Sequence, residues 1–168
     1  MHSVPAAPHA NDHIALNADS LCCQFDASFN HHTMAAAVGA VLMTHSGVFL
    51  AAFASRLPAC FSPLMAESLA CKEVLSWLKD RGLDSVHLFT DCSVLRSLLN
   101  SEHSHVYSYV GFSLEASKAI MSTFHSVSVH YIPRSSNARA HILASISFDQ
   151  EDQMYWEVIP PNSIAHLF

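Results

Sequence analysis

The chain is poor in charged residues, and basic residues are the scarcest. Only 13% of its 168 residues are charged, and eight Lys and Arg stand against fourteen Asp and Glu, for a net charge of −6 with His neutral. Proteins that bind nucleic acids usually present a basic surface, which this balance argues against. Any such binding would depend on a few local cations and would weaken steeply with salt.

Paired cysteines and long apolar runs are also missing. The five cysteines are odd in number and include no CxxC motif, so we interpret them as reduced core residues of an intracellular protein and find no zinc motif. No apolar run reaches the roughly 18 residues of a membrane-spanning helix, so no membrane partner is expected. The N-terminus has neither the basic start nor the apolar segment of a signal peptide, so secretion is not expected.

The composition that is present fits a single α/β domain. The chain is 51% hydrophobic and is long enough to bury a substantial core. Prolines near the N-terminus predict a disordered lead-in over residues 1–20. We place the domain at residues 21–148. The tail, residues 149–168, either packs back on this domain or continues into a larger protein.

Alternating and apolar segments predict three strands at the start of the domain. Residues 22–29 alternate between an apolar row and a row that contains Asp26. Residues 35–43 and 48–56 follow after connections too short for a crossover, which indicates an antiparallel meander. Gly39 in the second strand predicts the close approach of a neighbouring element.

Helices and strands then alternate, which indicates parallel pairing. Ser62 and Pro63 predict the start of a helix that ends near Arg81, and residues 85–90 form a short apolar strand. A strand, a helix and a strand in this order make a βαβ unit. Three further helices and one further strand are predicted, over residues 92–100, 110–123, 137–147 and 126–131.

Three acidic residues stand in otherwise apolar segments. Asp26 lies within a strand, Glu67 lies on the apolar face of the first helix, and Asp91 follows the carboxyl end of a strand. Three buried carboxylates close together repel each other unless a cation lies between them. Mg²⁺ prefers oxygen ligands, and two ions about 4 Å apart can activate water and stabilise the leaving oxygen in phosphodiester hydrolysis.

Each acid also has an explanation that needs no metal. Asp91 could cap the helix that follows it, and Glu67 could be a first-turn acid favoured by the helix dipole. Asp26 could face solvent on the edge of a sheet. The residue pattern alone leaves both the metal site and these separate explanations open.

Four short motifs occur in a characteristic order. They are Phe25-Asp26-Ala27-Ser28, Ala66-Glu67-Ser68-Leu69-Ala70, Thr90-Asp91-Cys92 and Ile132-Pro133-Arg134-Ser135-Ser136-Asn137-Ala138-Arg139-Ala140. With the predicted order β-β-β-α-β-α-α-β-α, residues 21–147 resemble ribonuclease H type 1. The similarity is greatest to the plant reverse-transcriptase-like subgroup, which is related to retroelements.

The resemblance implies a ribonuclease H-like fold, with a five-stranded mixed sheet flanked by helices. It also implies an enzyme that hydrolyses the RNA strand of an RNA/DNA hybrid with two Mg²⁺ ions. By position, Asp26 would bridge both ions, and Glu67 and Asp91 would hold the second ion and position the attacking side.

The resemblance extends to the nucleic acid. Ser93, Arg134 and Asn137 would contact its backbone, and RNA would be distinguished from DNA by the 2′-hydroxyl groups in the wide minor groove. The subgroup implies a location in the nucleus or cytoplasm, and we expect a monomer.

One position departs from the family pattern. The fourth acid would fall at His141, within Ala140-His141-Ile142-Leu143-Ala144. An imidazole can bind a metal but suits Mn²⁺ better than Mg²⁺. We therefore expect the first ion to be held less tightly, with activity lost or shifted toward Mn²⁺. The basic protrusion of some members and the mobile-loop histidine of others are also absent from the sequence.

Three functions are therefore open. The first is a hybrid-specific endonuclease that is weakened at His141. The second is a nucleic-acid-binding module derived from a retroelement, which kept the fold and lost catalysis. The third is a structural or protein-interaction remnant of a retroelement. Cleavage, binding without cleavage, and no binding even at low salt distinguish the three.

Overall fold

One six-stranded sheet organises the described residues, 16–102 and 108–168, of a computed structural model. The strands are β1 (Leu21–Asn30), β2 (Ala35–Thr44), β3 (Phe49–Leu57), β4 (Ser85–Thr90), β5 (Ser126–Tyr131) and β6 (Met154–Glu157). Their order across the sheet is β5-β4-β1-β2-β3-β6. The pairs β1–β2, β2–β3 and β3–β6 are antiparallel, whereas β1–β4 and β4–β5 are parallel. The predicted mixed α/β fold is thereby confirmed.

Helices cover both faces of this sheet. They are α1 (Pro63–Asp80), α2 (Ser93–Asn100), α3 (Tyr109–Met121) and α4 (Ala138–Ile146). α1 begins where the sequence predicts, because the Ser62 hydroxyl caps it by accepting a 3.1 Å hydrogen bond from the backbone N–H of Met65. Among the described residues, no helix combines the length and the apolar character that crossing a membrane requires.

β1 carries a different row of side chains on each face of the sheet, as expected for a period of two. Cys23 and Phe25 are completely buried in the core that includes the apolar face of α1. The alternate row contacts α4 and its flanking turn through three polar pairs, which are Gln24 with Ser136, Asp26 with His141 and Ser28 with Ser145. The alternation therefore directs Asp26 away from the main core and toward α4.

Gly39 allows α4 to lie unusually close to the sheet. It pairs with Asp26 across β1 and β2. A Cβ atom at this position would lie 2.4 Å from both the carbonyl oxygen of Ala140 and the backbone nitrogen of Ala144. Since these atoms belong to the helix backbone, no side-chain movement could make room. The close approach predicted at Gly39 is observed, and it sets the distance between β1 and His141.

The C-terminal tail contributes β6, which corrects the predicted count of five strands to six. β6 pairs with β3, with Trp156 opposite Ala52. Trp156 and the completely buried Ile164 pack in a second core together with Leu143 of α4. The expectation that residues 149–168 pack back on the domain is therefore met.

Residues 16–20 form a turn, whereas the sequence assigned them to a disordered lead-in. The carbonyl of Ser20 accepts a 2.8 Å hydrogen bond from the backbone N–H of His45, in the hairpin between β2 and β3. This segment is therefore tied to the sheet. The remainder of the predicted lead-in, residues 1–15, lies outside the described residues.

Alanine at position 39 tests whether α4 must lie this close. We expect Gly39→Ala to lower the free energy of unfolding by about 3 kcal/mol, because the new methyl group overlaps the helix backbone. Gly47→Ala is the control, since a Cβ there meets no atom within 4 Å and only the φ of +93° opposes it. The control should cost about 1–2 kcal/mol. Urea denaturation measures both, and equal costs would contradict the close packing.

Candidate metal centre

Three elements bring Asp26, Glu67 and Asp91 together. Asp26 lies within β1, Glu67 lies on α1, and Asp91 directly follows β4. The parallel register places Phe89 of β4 beside Gln24 of β1, so Asp91 emerges next to Asp26. One carboxylate oxygen from each acid lies within 4.8 Å of the other two. The fold therefore concentrates three acids at one point.

The three acids lie in an open cleft of about 600 Å³. His141 and Arg134 also line this cleft, as do His31 and Phe148, which the sequence did not indicate. His31 follows β1 in a turn, and Phe148 lies in a short 3-10 helix after α4. Neither segment carries a motif, and only the tertiary fold brings them to the cleft. The acids thus lie along a cleft that opens to solvent.

The explanations that needed no metal do not hold. Cys92 is the N-cap residue of α2, so Asp91 does not cap that helix. Glu67 lies beyond the first turn of α1, which contains no acidic residue. Asp26 is only 4% exposed, on a strand inside the sheet and not at its edge. None of the three acids has the separate role that its local sequence suggests.

Glu67 lies where a carboxylate is poorly solvated. Burial raises its pKa well above the ordinary value, and the charges of Asp26 and Asp91 raise it further. A hydrogen bond to Asp26, for which Glu67 supplies the proton, acts in the same direction, while the backbone N–H of Ala27 lowers the pKa. Atom Oε2 of Glu67 is buried without a hydrogen-bond partner among the described residues. Without a cation, therefore, the site favours the protonated form of Glu67 more than water does.

Asp91 lies between neighbours with opposing effects. Burial and then the charge of Asp26 raise its pKa, whereas Arg134, a hydrogen bond from Asn137 and the charge of His141 lower it. The net shift of the Asp91 pKa is upward. Asp91 and Glu67 thus both have a raised pKa, because each is buried and lies near other carboxylates.

Asn137 supports the cluster from within the protein. Its side chain is completely buried, and Nδ2 donates a 2.9 Å hydrogen bond to the carbonyl of Phe25, the residue before Asp26. The amide also hydrogen-bonds to Asp91. Asn137 therefore joins β1 to the end of β4 at the start of α4. The predicted contact of this residue with nucleic acid does not fit its burial, and we assign it a positioning role.

His141, where the resemblance predicts a fourth acid, lies beside Asp26. Its Nδ1 lies 2.7 Å from Oδ2 of Asp26, and its side chain is 38% exposed. It does not belong to the group of ligand atoms within 4.8 Å of one another, which consists of the three carboxylates. In this arrangement, the imidazole engages one of the Asp26 oxygens that a cation would otherwise contact.

The two remaining predicted contacts with nucleic acid differ in position. Arg134 is exposed and lines the cleft, where its charge acts on Asp91. Ser93 is the exposed first residue of α2 and is not among the described residues that line the cleft. The structure therefore associates Arg134 with the acidic site, and the role of Ser93 stays a prediction.

The donor set fits a hard divalent cation. Three carboxylates supply oxygen ligands of the kind that Mg²⁺ and Mn²⁺ prefer. A cation would favour the ionised form of Glu67, whose pKa is raised, and would give its buried Oε2 a partner. Asp26, Glu67 and Asp91 are the residues that would hold it.

The fold and the acidic cluster together define a ribonuclease H-like protein. A family model described as reverse transcriptase-like matches residues 24–147, and the chain belongs to that family. The predicted resemblance is confirmed, whereas the plant subgroup stays a prediction. No curated protein matches the chain.

Solved structures of ribonucleases H share this fold at low sequence identity. RNase H1 from the halophilic archaeon Halobacterium salinarum NRC-1 has a TM-score of 0.71 and 23% identity, over 77% of this chain and 98% of that chain. LC11-RNase H1, isolated from compost and solved with an RNA/DNA hybrid, has a TM-score of 0.70 and 18% identity, over 78% and 98%. The foamy viral protease-reverse transcriptase, also solved with an RNA/DNA hybrid, has a TM-score of 0.67 and 12% identity, over 87% of this chain and 22% of that chain.

The raised pKa of Glu67 predicts how stability changes with pH when no metal is bound. Because the folded-state pKa exceeds the unfolded-state value near 4.5, the folded protein binds the proton more tightly. Stability should therefore fall as the pH rises from that value through the folded-state pKa. Glu67→Gln should remove this loss and stabilise the metal-free protein at neutral pH relative to the wild type.

Thermal unfolding in a chelator, followed from acidic to neutral pH, measures this effect. Glu73→Gln is the matched control, because Glu73 lies on the same helix with a side chain that is 36% exposed. The control should change stability by no more than about 0.5 kcal/mol. A Glu67→Gln protein that melts below the wild type at neutral pH without metal would contradict the costly burial of this acid.

Proposed function

We propose that the chain is an endoribonuclease that hydrolyses the RNA strand of an RNA/DNA hybrid with the aid of divalent cations. The observation that carries this proposal is the convergence of Asp26, Glu67 and Asp91 in an open cleft of a ribonuclease H-like fold. Two neighbours with this fold were solved with an RNA/DNA hybrid, which supports a hybrid as the substrate.

The residues that line the cleft have different roles in binding metal and substrate. Asp26, Glu67 and Asp91 would hold the cations, with Asp26 as the central ligand. Glu67 gives up its proton when a cation is bound. The bound ions supply an activated water and neutralise charge at the scissile phosphate. Arg134 lines the same cleft and is the cation that contacts the substrate backbone.

His141 determines which metal supports activity. It replaces a negative ligand with a nitrogen and engages Asp26 Oδ2 at 2.7 Å. Imidazole suits Mg²⁺ poorly and accepts transition metals more readily. We therefore propose weak cleavage in Mg²⁺ and stronger cleavage in Mn²⁺.

The scarcity of basic residues limits how the substrate is held. With eight Lys and Arg in the whole chain, few phosphate contacts are available, and binding should fall steeply with added salt. Ser93 also contacts the sugar-phosphate backbone of the substrate. The protein acts as a monomer in the nucleus or cytoplasm.

The contact between His141 and Asp26 favours one alternative function. An imidazole that stays on Asp26 would keep the first ion out, and the protein would then bind a hybrid without cutting it. This inactive binding module, derived from a retroelement, predicts hybrid binding and no cleavage in either Mg²⁺ or Mn²⁺.

Cleavage of a labelled RNA/DNA hybrid in Mg²⁺ and in Mn²⁺ tests the proposal. We expect the wild type to cut the RNA strand in Mn²⁺, and Asp26→Asn to reduce the rate by about 100-fold or more, because a shared ligand is lost. His141→Asp should raise the rate in Mg²⁺ by about tenfold or more, because it restores a carboxylate.

His125→Asp is the control for added charge, since this exposed residue lies just before β5, at the end of that strand remote from the cleft. It should cleave like the wild type. No cleavage by the wild type or by His141→Asp in either metal would contradict the endonuclease. Hybrid binding without cleavage would then support the inactive module, and absence of binding at low salt would support a structural role.

A further inference from the structure

A second cluster of metal-binding side chains lies on the sheet, apart from the acidic cleft. His87 of β4 is opposite Ser128 of β5 in the parallel register, and Phe89 is opposite His130. These side chains share the face of the sheet on which α4 packs over β1 and β2. His87, Ser128 and His130 are half-buried on the part of this face formed by β4 and β5.

Three polar atoms of this cluster form a small triangle. Nδ1 of His87 lies 3.2 Å from Nε2 of His130, and Oγ of Ser128 lies 2.8 and 2.9 Å from the two nitrogens. Bonds from Zn²⁺ to imidazole nitrogen are about 2.0–2.1 Å long, so tetrahedral ligands are separated by about 3.4 Å. The two ring nitrogens already lie close to the separation of two ligands on one ion.

The hydrogen bonding indicates that this pair of imidazoles can present a lone pair. Two N–H groups pointing at each other across 3.2 Å would repel, so at least one of the facing nitrogens is unprotonated. Burial lowers the pKa of both histidines. The charge of His45 lowers the pKa of His87 further, and the charges of His87 and Arg96 do the same for His130. Neutral imidazole is the form that binds metals.

Packing holds the two rings in this arrangement. His130 stacks on Phe89 with ring centroids 5.0 Å apart and planes 27° apart. His87 and His130 lie on adjacent, hydrogen-bonded strands, and Ser128 contacts both rings. Ligands that are ordered before binding lose little conformational entropy when the ion arrives.

We propose that His87 and His130 bind one divalent transition metal ion of the borderline class, such as Zn²⁺, Ni²⁺ or Cu²⁺. Water completes the coordination, and the Ser128 hydroxyl lies beside it as a hydrogen-bonding partner. Imidazole ligands select these ions, whereas the carboxylates of the cleft select Mg²⁺ and Mn²⁺. The ion joins β4 to β5 and stabilises the two strands that lead to Asp91 and Arg134.

Titration of the untagged chain of 168 residues with zinc chloride tests this site. The imidazole ring signals of His87 and His130 should move first in NMR spectra recorded below one equivalent of Zn²⁺. In calorimetry, His87→Gln and His130→Gln should each weaken Zn²⁺ binding by about tenfold or more. His125→Gln is the matched control on the exposed segment before β5 and should bind like the wild type.

Asp26→Asn separates the two metal sites, because it alters the acidic cleft and should leave Zn²⁺ binding at the histidine pair unchanged. Equal Zn²⁺ affinity in the wild type and in both histidine variants would overturn the proposal. Ring shifts confined to other histidines, such as His31 and His32, would also overturn it. These shifts are measured in the wild type, so they decide the question even if a variant fails to fold.

Discussion

Repulsion among Asp26, Glu67 and Asp91 is the constraint on which the site depends. Their oxygens lie within 4.8 Å of one another, too close for all three to be charged without a cation or a proton between them. The acids cannot separate, because β1 pairs with β4 and α1 packs on β1. Burial, and after it the charges of the neighbouring acids, raise the pKa values of Glu67 and Asp91 in the metal-free protein. A bound cation would relieve this repulsion, so the free energy that the repulsion costs the folded protein would contribute to cation affinity.

His141 modifies this constraint at a single position. Its imidazole lies 2.7 Å from Asp26, and its charge lowers the pKa of Asp91. The same contact that compensates the acids would therefore compete with a cation held by them. Gly39 makes the contact possible, since only a residue without a Cβ atom lets α4 lie so close to β1. The packing of α4 at Gly39 therefore determines where His141 lies relative to Asp26.

Local patterns made much of the fold predictable, whereas the resemblance to a known family was needed to single out the acidic triad. The alternation of β1, the cap formed by Ser62 and the glycine at position 39 each require only neighbouring residues or elementary sterics. The features that were missed depend on tertiary structure. β6 has four residues, too few for a periodic pattern, and the burial of Asn137 follows from how α4 joins β1 and β4. The histidine pair on β4 and β5 depends on the register between these two strands, which is not evident from either segment alone.

Mn²⁺ binding measured together with proton release tests the central claim most directly. Calorimetry in buffers with different ionisation enthalpies reports both quantities near neutral pH. The account predicts that the wild type binds Mn²⁺ and releases a proton from Glu67, whose pKa is raised in the metal-free state. Glu67→Gln should bind more weakly and release no proton from this position. Wild-type protein that binds no Mn²⁺, or that binds it as Glu67→Gln does with the same proton release, would contradict the account.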